Sequence, residues 1–509
     1  MTILITGATD GIGLALARHY ARLGARLILV GRRETAPDVG GEALYCRADL
    51  AADTAAADVE RCLAAHGVEA LDVVIHNAGV GYYGRFADQS WDSIENIYRV
   101  NLETPILLTQ ALLPRLRRAR GQLVFISSMV TALPGPDYAV YTATKRALDG
   151  FARSLRPELR GEVTVQVIHP GATFTGMHVK MGIAREVMDW TQFTPVDETA
   201  IRIASRIKQQ KPAATLFLSN RIVRALGHLG LFDRILQRAA PAEMAAGPAG
   251  EPPVCVITGA AAGIGQALAL RFGRAGWRII GVDVDAAAAD AAAARWAEAG
   301  VDGRFLLADL SQPADIARVA VELAAQGPVD CVVHNAGISA VGRFGRVPAA
   351  RQRAVLRLNL LAPLLLTSAL LQRAVLRPGG SWVFVSSLSY FVGYPGAAVY
   401  AASKDGLAAF ARGFRVANEA NQHILTLYPG ATRTGHARRF SPENGREARR
   451  MPPEQVADAV YRAVGRRRPT LVPGAGNALF ALLGRLAPGI MTRAMERVIL
   501  DKVGERVLL

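Results

Sequence analysis

Thr6-Gly7-Ala8-Thr9-Asp10-Gly11-Ile12-Gly13 follows a short apolar run, Thr2–Thr6, and opens a helical pattern over Leu14–Leu23. A strand, a glycine turn and a helix in that order form a dinucleotide-binding arrangement. Glycines let the backbone approach a pyrophosphate, and the first helical turn offers it unpaired N–H groups. The stretch returns as Thr258-Gly259-Ala260-Ala261-Ala262-Gly263-Ile264-Gly265 behind the apolar run Val254–Ile257. A lone glycine turn can be no more than a tight bend, so its neighbours decide the reading.

Outward from the first turn, a second strand, Arg26–Val30, ends in Gly31-Arg32-Arg33, and Asp49 follows a third. A fourth, Val73–Ile75, runs into His76-Asn77-Ala78-Gly79, and a helix carries Asn101. The fifth, Leu123–Ile126, ends in Ser127-Ser128, and a helix then carries Tyr141-Thr142-Ala143-Thr144-Lys145. The sixth, Val163–Ile168, leads to Pro170-Gly171-Ala172-Thr173-Phe174-Thr175. Strands alternating with helices predict an α/β fold with a doubly wound parallel sheet, whose ligands bind beyond the carboxyl ends of the strands.

The order then repeats: Asp283, Asp309, His334-Asn335-Ala336-Gly337, Asn359, Ser386-Ser387, Tyr400-Ala401-Ala402-Ser403-Lys404, and Pro429-Gly430 to Thr434. The offset is 252 at the first glycine, 258 at the two asparagines and 259 from serine to threonine. Two Rossmann-like domains in tandem are expected, 1–240 and 254–509, joined by an Ala/Gly/Pro-rich linker, 241–253.

Length agrees: 509 residues exceed one typical core. The composition, 51% hydrophobic and 20% charged, is globular. Cys46, Cys62, Cys255 and Cys331 make no metal spacing, and Cys255 and Cys331 lie in strand-like runs. A reduced, cytoplasmic protein without metal is the expectation. The net charge of +16 is arginine scattered over helices, with no basic tail or interleaved aromatics, so no nucleic-acid partner is expected. No run of 18 apolar residues suggests a membrane span, although peripheral membrane contact fits the apolar–basic segments Leu216–Leu236 and Leu471–Ile499. These segments read first as helices covering a pocket or an interface.

Tyr and Lys four residues apart share one face of a helix. An ammonium beside a phenol favours the phenolate and lowers its pKa from ~10, fitting it for proton transfer near neutrality. With the motifs TGxxxGIG, NAG and YxxxK in order, each half resembles the short-chain dehydrogenase/reductase family nearly end to end. The resemblance implies a general acid/base at Tyr141 and Tyr400, and Lys145 and Lys404 tuning it and holding the nicotinamide ribose. Ser128 and Ser387 would bond the substrate oxygen, and Asn101 and Asn359 would support the lysine through a water. The implied cofactor contacts are Gly7, Gly11, Ile12, Gly13, Asp49, Asn77, Gly79, Pro170, Gly171 and Thr175 in the first half. In the second they are Gly259, Gly263, Ile264, Gly265, Asp309, Asn335, Gly337, Pro429, Gly430 and Thr434. His76 and His334 read as structural.

Eighteen residues past the last turn glycine, the halves differ: Gly31 in one, Asp283 in the other. A carboxylate there accepts from the ribose hydroxyls and repels a 2′-phosphate, so the second half should use NAD(H). Room at Gly31 with Arg32 and Arg33 beside it suits a 2′-phosphate, so the first should use NADP(H), although Asp10 opposes a nearby phosphate. The expected function is a bifunctional alcohol/ketone oxidoreductase acting on a hydrophobic hydroxy or keto substrate. It could run as a redox relay that epimerises a hydroxyl. The alternatives are a fusion of two independent carbonyl reductases, or one active half beside a regulatory one. The loops Met129–Tyr138 and Leu388–Tyr394 are the expected substrate walls, and Arg438, Arg439, Arg446, Arg449 and Arg450 could meet an anionic tail. The halves are expected to pair as a pseudo-dimer within the chain, or through a homo-oligomer.

Overall fold

A computed structural model of the chain describes residues 1–183, 186, 189–228, 251–417, 421–445 and 447–509. Arg446, most of the expected linker and the end of Leu216–Leu236 lie outside them. The chain divides into two compact units, one around each of two seven-stranded sheets. The first sheet comprises β1 (Thr2–Thr6), β2 (Arg26–Gly31), β3 (Ala43–Arg47), β4 (Val73–His76), β5 (Gln122–Ile126), β6 (Thr164–His169) and β7 (Ala213–Thr215). The second comprises β8 (Val254–Thr258), β9 (Arg278–Asp283), β10 (Gly303–Leu307), β11 (Val329–His334), β12 (Leu376–Val385), β13 (His423–Leu427) and β14 (Thr470–Leu471).

The first order is β3-β2-β1-β4-β5-β6-β7, the second β10-β9-β8-β11-β12-β13-β14, and every pairing is parallel. The order reverses between β1 and β4, and between β8 and β11. A crevice opens there beyond the strand ends, where the glycine turns stand. Helices cover both faces, which is why β4 and β5 are buried at every residue and read as apolar runs over Val73–Ile75 and Leu123–Ile126. Helices Gly11–Arg22 and Val196–Gln209 close one face of the first sheet through Leu16, Tyr20, Ile203 and Ile207. Gly263–Gly273 and Pro453–Gly465 do the same for the second with Phe272, Val456 and Val460.

The sequence reading gives six strands per half; the seventh, β7 or β14, is three or two residues long. Such a strand is too short for periodicity to register. A second difference concerns the cysteines. Cys46 on β3 and Cys62 on helix Ala55–Ala65 form a disulfide, Cα to Cα 5.7 Å, contrary to the fully reduced expectation. The helix folds back on its strand and brings together residues sixteen apart. Cys255 and Cys331 are free and buried as register neighbours on β8 and β11. The helical stretch Ala349–Gln372 is long and apolar enough to cross a membrane, but 78% of its apolar window is buried within the second unit.

Candidate active sites

Each glycine turn is built by contact with the end of the fourth strand of its sheet. Gly7 and Gly259 both hold φ of 65°, a conformation that favours glycine. A Cβ on either would lie 2.8 or 2.9 Å from the Cα of Ala78 or Ala336. Asn77 Nδ2 donates to the Thr6 and Gly7 carbonyls at 3.0 and 3.3 Å, and Asn335 Nδ2 to those of Thr258 and Gly259 at 2.9 and 3.1 Å. These two asparagines therefore clamp the turn itself. Thr175 and Thr434 lie across the mouth, their methyls 3.4 and 3.2 Å from the position a Cβ on Gly11 or Gly263 would take. Ile264 lines the second cleft, and Ile12 packs on the first core. Asp49 Oδ1 accepts from Ala51 N at 3.0 Å, and Asp309 Oδ1 from Ser311 N at 2.9 Å.

Behind Pro170-Gly171 and Pro429-Gly430 stand two residues that sequence reasoning missed, Asn220 and Asn477. A Cβ on Gly171 would meet Asn220 Nδ2 at 2.5 Å, and one on Gly430 would meet Asn477 Oδ1 at 2.4 Å. Their shared place in the repeat, 257 residues apart, was the available signal.

The tetrad assembles in both halves. Asn101 and Asn359 sit in widened helical turns, Arg99–Glu103 and Arg357–Leu361. Asn101 Oδ1 accepts from Val80 N at 2.9 Å, and its Nδ2 donates to Val80 O at 2.8 Å and Thr144 Oγ1 at 3.2 Å. Asn359 repeats this with Ile338, at 2.9 Å each way, and Ser403 Oγ at 3.1 Å. Lys145 Nζ donates to Ile126 O at 3.0 Å, and Lys404 Nζ to Val385 O at 2.9 Å. The NAG glycine makes room for this meeting: a Cβ on Gly79 would lie 3.3 Å from Lys145 Nζ and 3.5 Å from Asn101 Oδ1. Gly337 stands likewise, 3.0 Å from Asn359 Oδ1 and 3.3 Å from Lys404 Nζ. Ser128 and Ser387 stand beside the hydroxyls of Tyr141 and Tyr400 and favour their ionised form.

The electrostatics correct one expectation. The lysines do not lower the tyrosine pKa here. Burial raises that of Tyr141, and burial with Tyr394 pushes Tyr400 up to about 12, against the opposing serines. Burial also lowers Lys145 and Lys404 to about 8. The reason is distance and solvation: each Nζ stands 5.9 or 6.0 Å from the tyrosine ring centre and spends a hydrogen bond on a backbone carbonyl, while both groups lose water. Both tyrosines therefore hold their protons at neutral pH.

His76 and His334 are structural. Each Nε2 meets a threonine hydroxyl, Thr109 at 3.0 Å or Thr367 at 2.9 Å, and each ring stacks on an aromatic of the neighbouring strand, Phe125 or Phe384. Burial drops both to about pH 3.

The second unit holds a cavity of about 800 Å³ running from the glycine turn past Ser387, Tyr400 and Lys404 to Phe480 and Ile499. The C-terminal helices thus cover this pocket, one of the two roles expected of them. Asp283 lines it at the end of β9, accepting from Ala261 N and Val284 N at 2.9 Å each. At the matching Gly31, the space is not open. A Cβ there would meet the Thr9 methyl at 2.6 Å and the Tyr45 hydroxyl at 3.1 Å. Arg32 and Arg33 are exposed beside it, and Arg33 reaches Asp10 at 3.9 Å. Asp10 also pairs with Lys180 at 2.5 Å and accepts from Gly11 N at 2.8 Å. A turn stripped of Cβ atoms, a helix N-terminus and a carboxylate at the second strand end fit a dinucleotide. Among the described residues no group of three His, Cys, Asp or Glu side chains could hold a metal ion.

The family model for short chain dehydrogenases matches residues 1–185 and again 253–445. The chain belongs to the short-chain dehydrogenase/reductase family, twice over. As a tandem member it resembles a cattle protein named dehydrogenase/reductase SDR family member 7B, 32% identical over 40% of this chain and 67% of the relative. It also resembles an Escherichia coli protein named uncharacterized oxidoreductase YciK, 36% identical over 34% of this chain and 74% of the relative. A solved N-terminal ketoreductase from the macrolactin assembly line covers 95% of this chain and 88% of its own, with a TM-score of 0.62 at 12% identity. That likeness shows the fold. The short-chain dehydrogenase halves make this protein an oxidoreductase.

Proposed function

We propose that each half is a complete alcohol/ketone oxidoreductase site, the first using NADP(H) and the second NAD(H), on hydrophobic hydroxy or keto substrates. The observation that carries the reading is the contrast of Asp283, a carboxylate in the second cleft, with Gly31-Arg32-Arg33. A carboxylate bonds ribose hydroxyls and repels a 2′-phosphate, whereas guanidinium groups attract one. The nicotinamide, when bound, gives or takes the hydride. Ser128 and Ser387 hold the substrate oxygen against Tyr141 and Tyr400. Each tyrosine, kept protonated by burial, is ready to donate to a carbonyl oxygen during reduction; for oxidation it must first release that proton to solvent, and as the phenolate it then takes the proton of the alcohol.

Opposed cofactors on one chain favour a second reading. The NAD half would oxidise an alcohol and the NADPH half reduce the ketone from the other face, epimerising the hydroxyl. Feeding a chiral secondary alcohol with NAD⁺ and NADPH and finding inverted alcohol supports that relay; retention throughout leaves two independent reductases.

The cofactor assignment is tested by titrating the protein with NADPH and NADH. Asp283→Ala should lose the second site's discrimination against NADPH, and Arg32→Ala with Arg33→Ala should weaken NADPH at the first by roughly tenfold, one charge-assisted contact's worth. Gly31→Asp is a poor test, because its Cβ meets Thr9. One undivided class of site, indifferent to cofactor and variant, sinks the assignment.

A further inference from the structure

Past the PGxxxT turn the two halves diverge in chemistry while keeping their backbone. Thr173 bridges Thr194 in the first half, and Thr432 bridges Met451 in the second. The bonds match too: Thr194 N donates to Ala172 O at 3.0 Å, and Met451 N to Ala431 O at 3.2 Å. This register sets Phe193 opposite Arg450, and counting from Thr175 and Thr434 sets Met177 opposite His436. Phe193 lies in an aromatic cluster, 5.0 Å from His178 and 4.9 Å from Trp190, ring to ring.

Arg450 instead lines the cavity. Its Nη2 donates to Glu443 O at 3.1 Å and Asn444 Oδ1 at 2.7 Å. Its Nη1 is buried with no hydrogen-bond partner, and Arg450 makes no ion pair among the described residues. Its neighbours are occupied elsewhere: Arg438 pairs with Glu447 at 2.7 Å, and Arg439 donates to Leu509 O at 2.7 Å. Of the charged side chains on the cavity wall, Asp283 and Asp309 stand at the adenosine end. Lys404 and Arg450 line it elsewhere, and Asp283 and Asp309 are the only carboxylates among the described lining residues. Tyr394 bridges the gap, its ring 6.1 Å from that of Tyr400 and within the field of Arg450. A guanidinium with a buried, unpartnered nitrogen is costly, and a carboxylate ligand offers the planar acceptor pair it lacks.

We propose that the second half acts on a hydroxy or keto acid, with Arg450 binding the carboxylate while Ser387 and Tyr400 hold the reacting oxygen. The proposal rests on the oxidoreductase reading above and names its substrate class. In the oxidative direction Tyr400 first gives its proton to solvent, the hydride then leaves the carbinol carbon for NAD⁺, the hydroxyl proton passes to the Tyr400 phenolate, and the carboxylate is unchanged. Phe440, Met495 and Ile499 give apolar walls for a hydrocarbon between the two ends. His436, its ring 6.4 Å from that of Tyr400, is a built-in reporter. Burial, with Lys404, Arg351 and Arg439 around it, holds it neutral, down to about 4, and an arriving anion would raise that value.

The test uses (ω−1)-hydroxy acids of four to ten carbons and their methyl esters, with NAD⁺ and the full chain. The best acid should exceed its ester in kcat/KM by roughly 30-fold, the size expected for a desolvated charge pair. Arg450→Met should erase that preference, and Arg450→Lys should restore part of it, which a merely structural role of the side chain would not do. The corresponding keto acid should raise the titration midpoint of His436, assigned by NMR with His436→Gln, and its ester should not. Esters turned over as well as acids would overturn the proposal and leave the two-site reading standing. Acids that shift His436 without turnover would support the carboxylate site and count against the oxidoreductase reading. No turnover and no shift would overturn it.

Discussion

In the first half, charge ties down the helix that carries Tyr141, Ala139–Glu158. Asp149 on that helix meets His169 Nε2 at 3.0 Å and Arg224 at 3.3 Å. Arg224 also donates to Thr131 Oγ1 at 2.9 Å, and Thr131 Oγ1 to Ser128 O at 3.0 Å, so the clip reaches Ser128. In the second half the equivalents of Asp149 and His169 are Ala408 and Tyr428. There Tyr428 packs against Tyr390 and Phe391 at 5.3 and 4.9 Å, and Arg485 stacks over Phe391 at 4.8 Å. One tetrad geometry therefore tolerates two supports, an ion cluster and an aromatic cluster. The backbone positions the chemistry, and the support sets what that costs and how it responds to pH.

The comparison breaks most sharply at the tyrosines. Tyr141→Phe and Tyr400→Phe should each silence one cofactor's turnover by about a thousandfold, the range for losing a positioned acid/base, while leaving the other half's intact. Loss of both activities with either variant would mean that the sites are not independent. Next comes the ion cluster. Burial works against the Asp149 carboxylate, but His169, Arg224 and Arg146 hold it well below the usual range. Asp149→Ala removes the carboxylate that faces the buried Arg224 and Arg146 guanidinium groups and should cost the first unit about 3–5 kcal/mol, with the second unit's melting transition unmoved.

A smaller contrast is one the halves should share. Burial keeps His76 and His334 neutral in the fold down to about pH 3, so the unfolded chain binds more protons below ~6.5. Both units should therefore lose stability as pH falls from ~6.5 toward ~3, and His76→Gln should flatten that slope in the first unit alone. Denaturant midpoints read against pH check it. The smallest effect is at the turn: Asp10 caps the first helix where Ala262 caps the second. Asp10→Ala should cost ~1 kcal/mol of stability, the worth of one cap, and release Arg33, tightening NADPH severalfold by titration.

Much of the candidate site was legible because its residue types recur at fixed spacings in both halves. Tyr141 and Lys145 are four apart on one helix, Ser128 ends a strand thirteen residues earlier, and the repeat shows each twice. What escaped was held by contacts between segments far apart in the chain. Asn220 and Asn477 come from helices well beyond the last motif and reach the PG turns only because those helices fold back. The room at Gly31 proved to be filled by Thr9 and Tyr45, residues from two other elements. The Tyr–Lys spacing suggested an acidified phenol, but spacing carries no information about lost water, and burial reversed the sign.

The sequence by itself determined the α/β class, the duplication, the family and the strand ends at which the proposed site residues lie, because periodicity and spacing are local properties of the chain. Only the tertiary structure decided which of the four described arginines faces the second cavity, which carboxylates are paired, and where Cys46 finds Cys62. Those outcomes depend on burial and on distances between elements that are remote in sequence, and desolvation decides which charges remain available to a ligand.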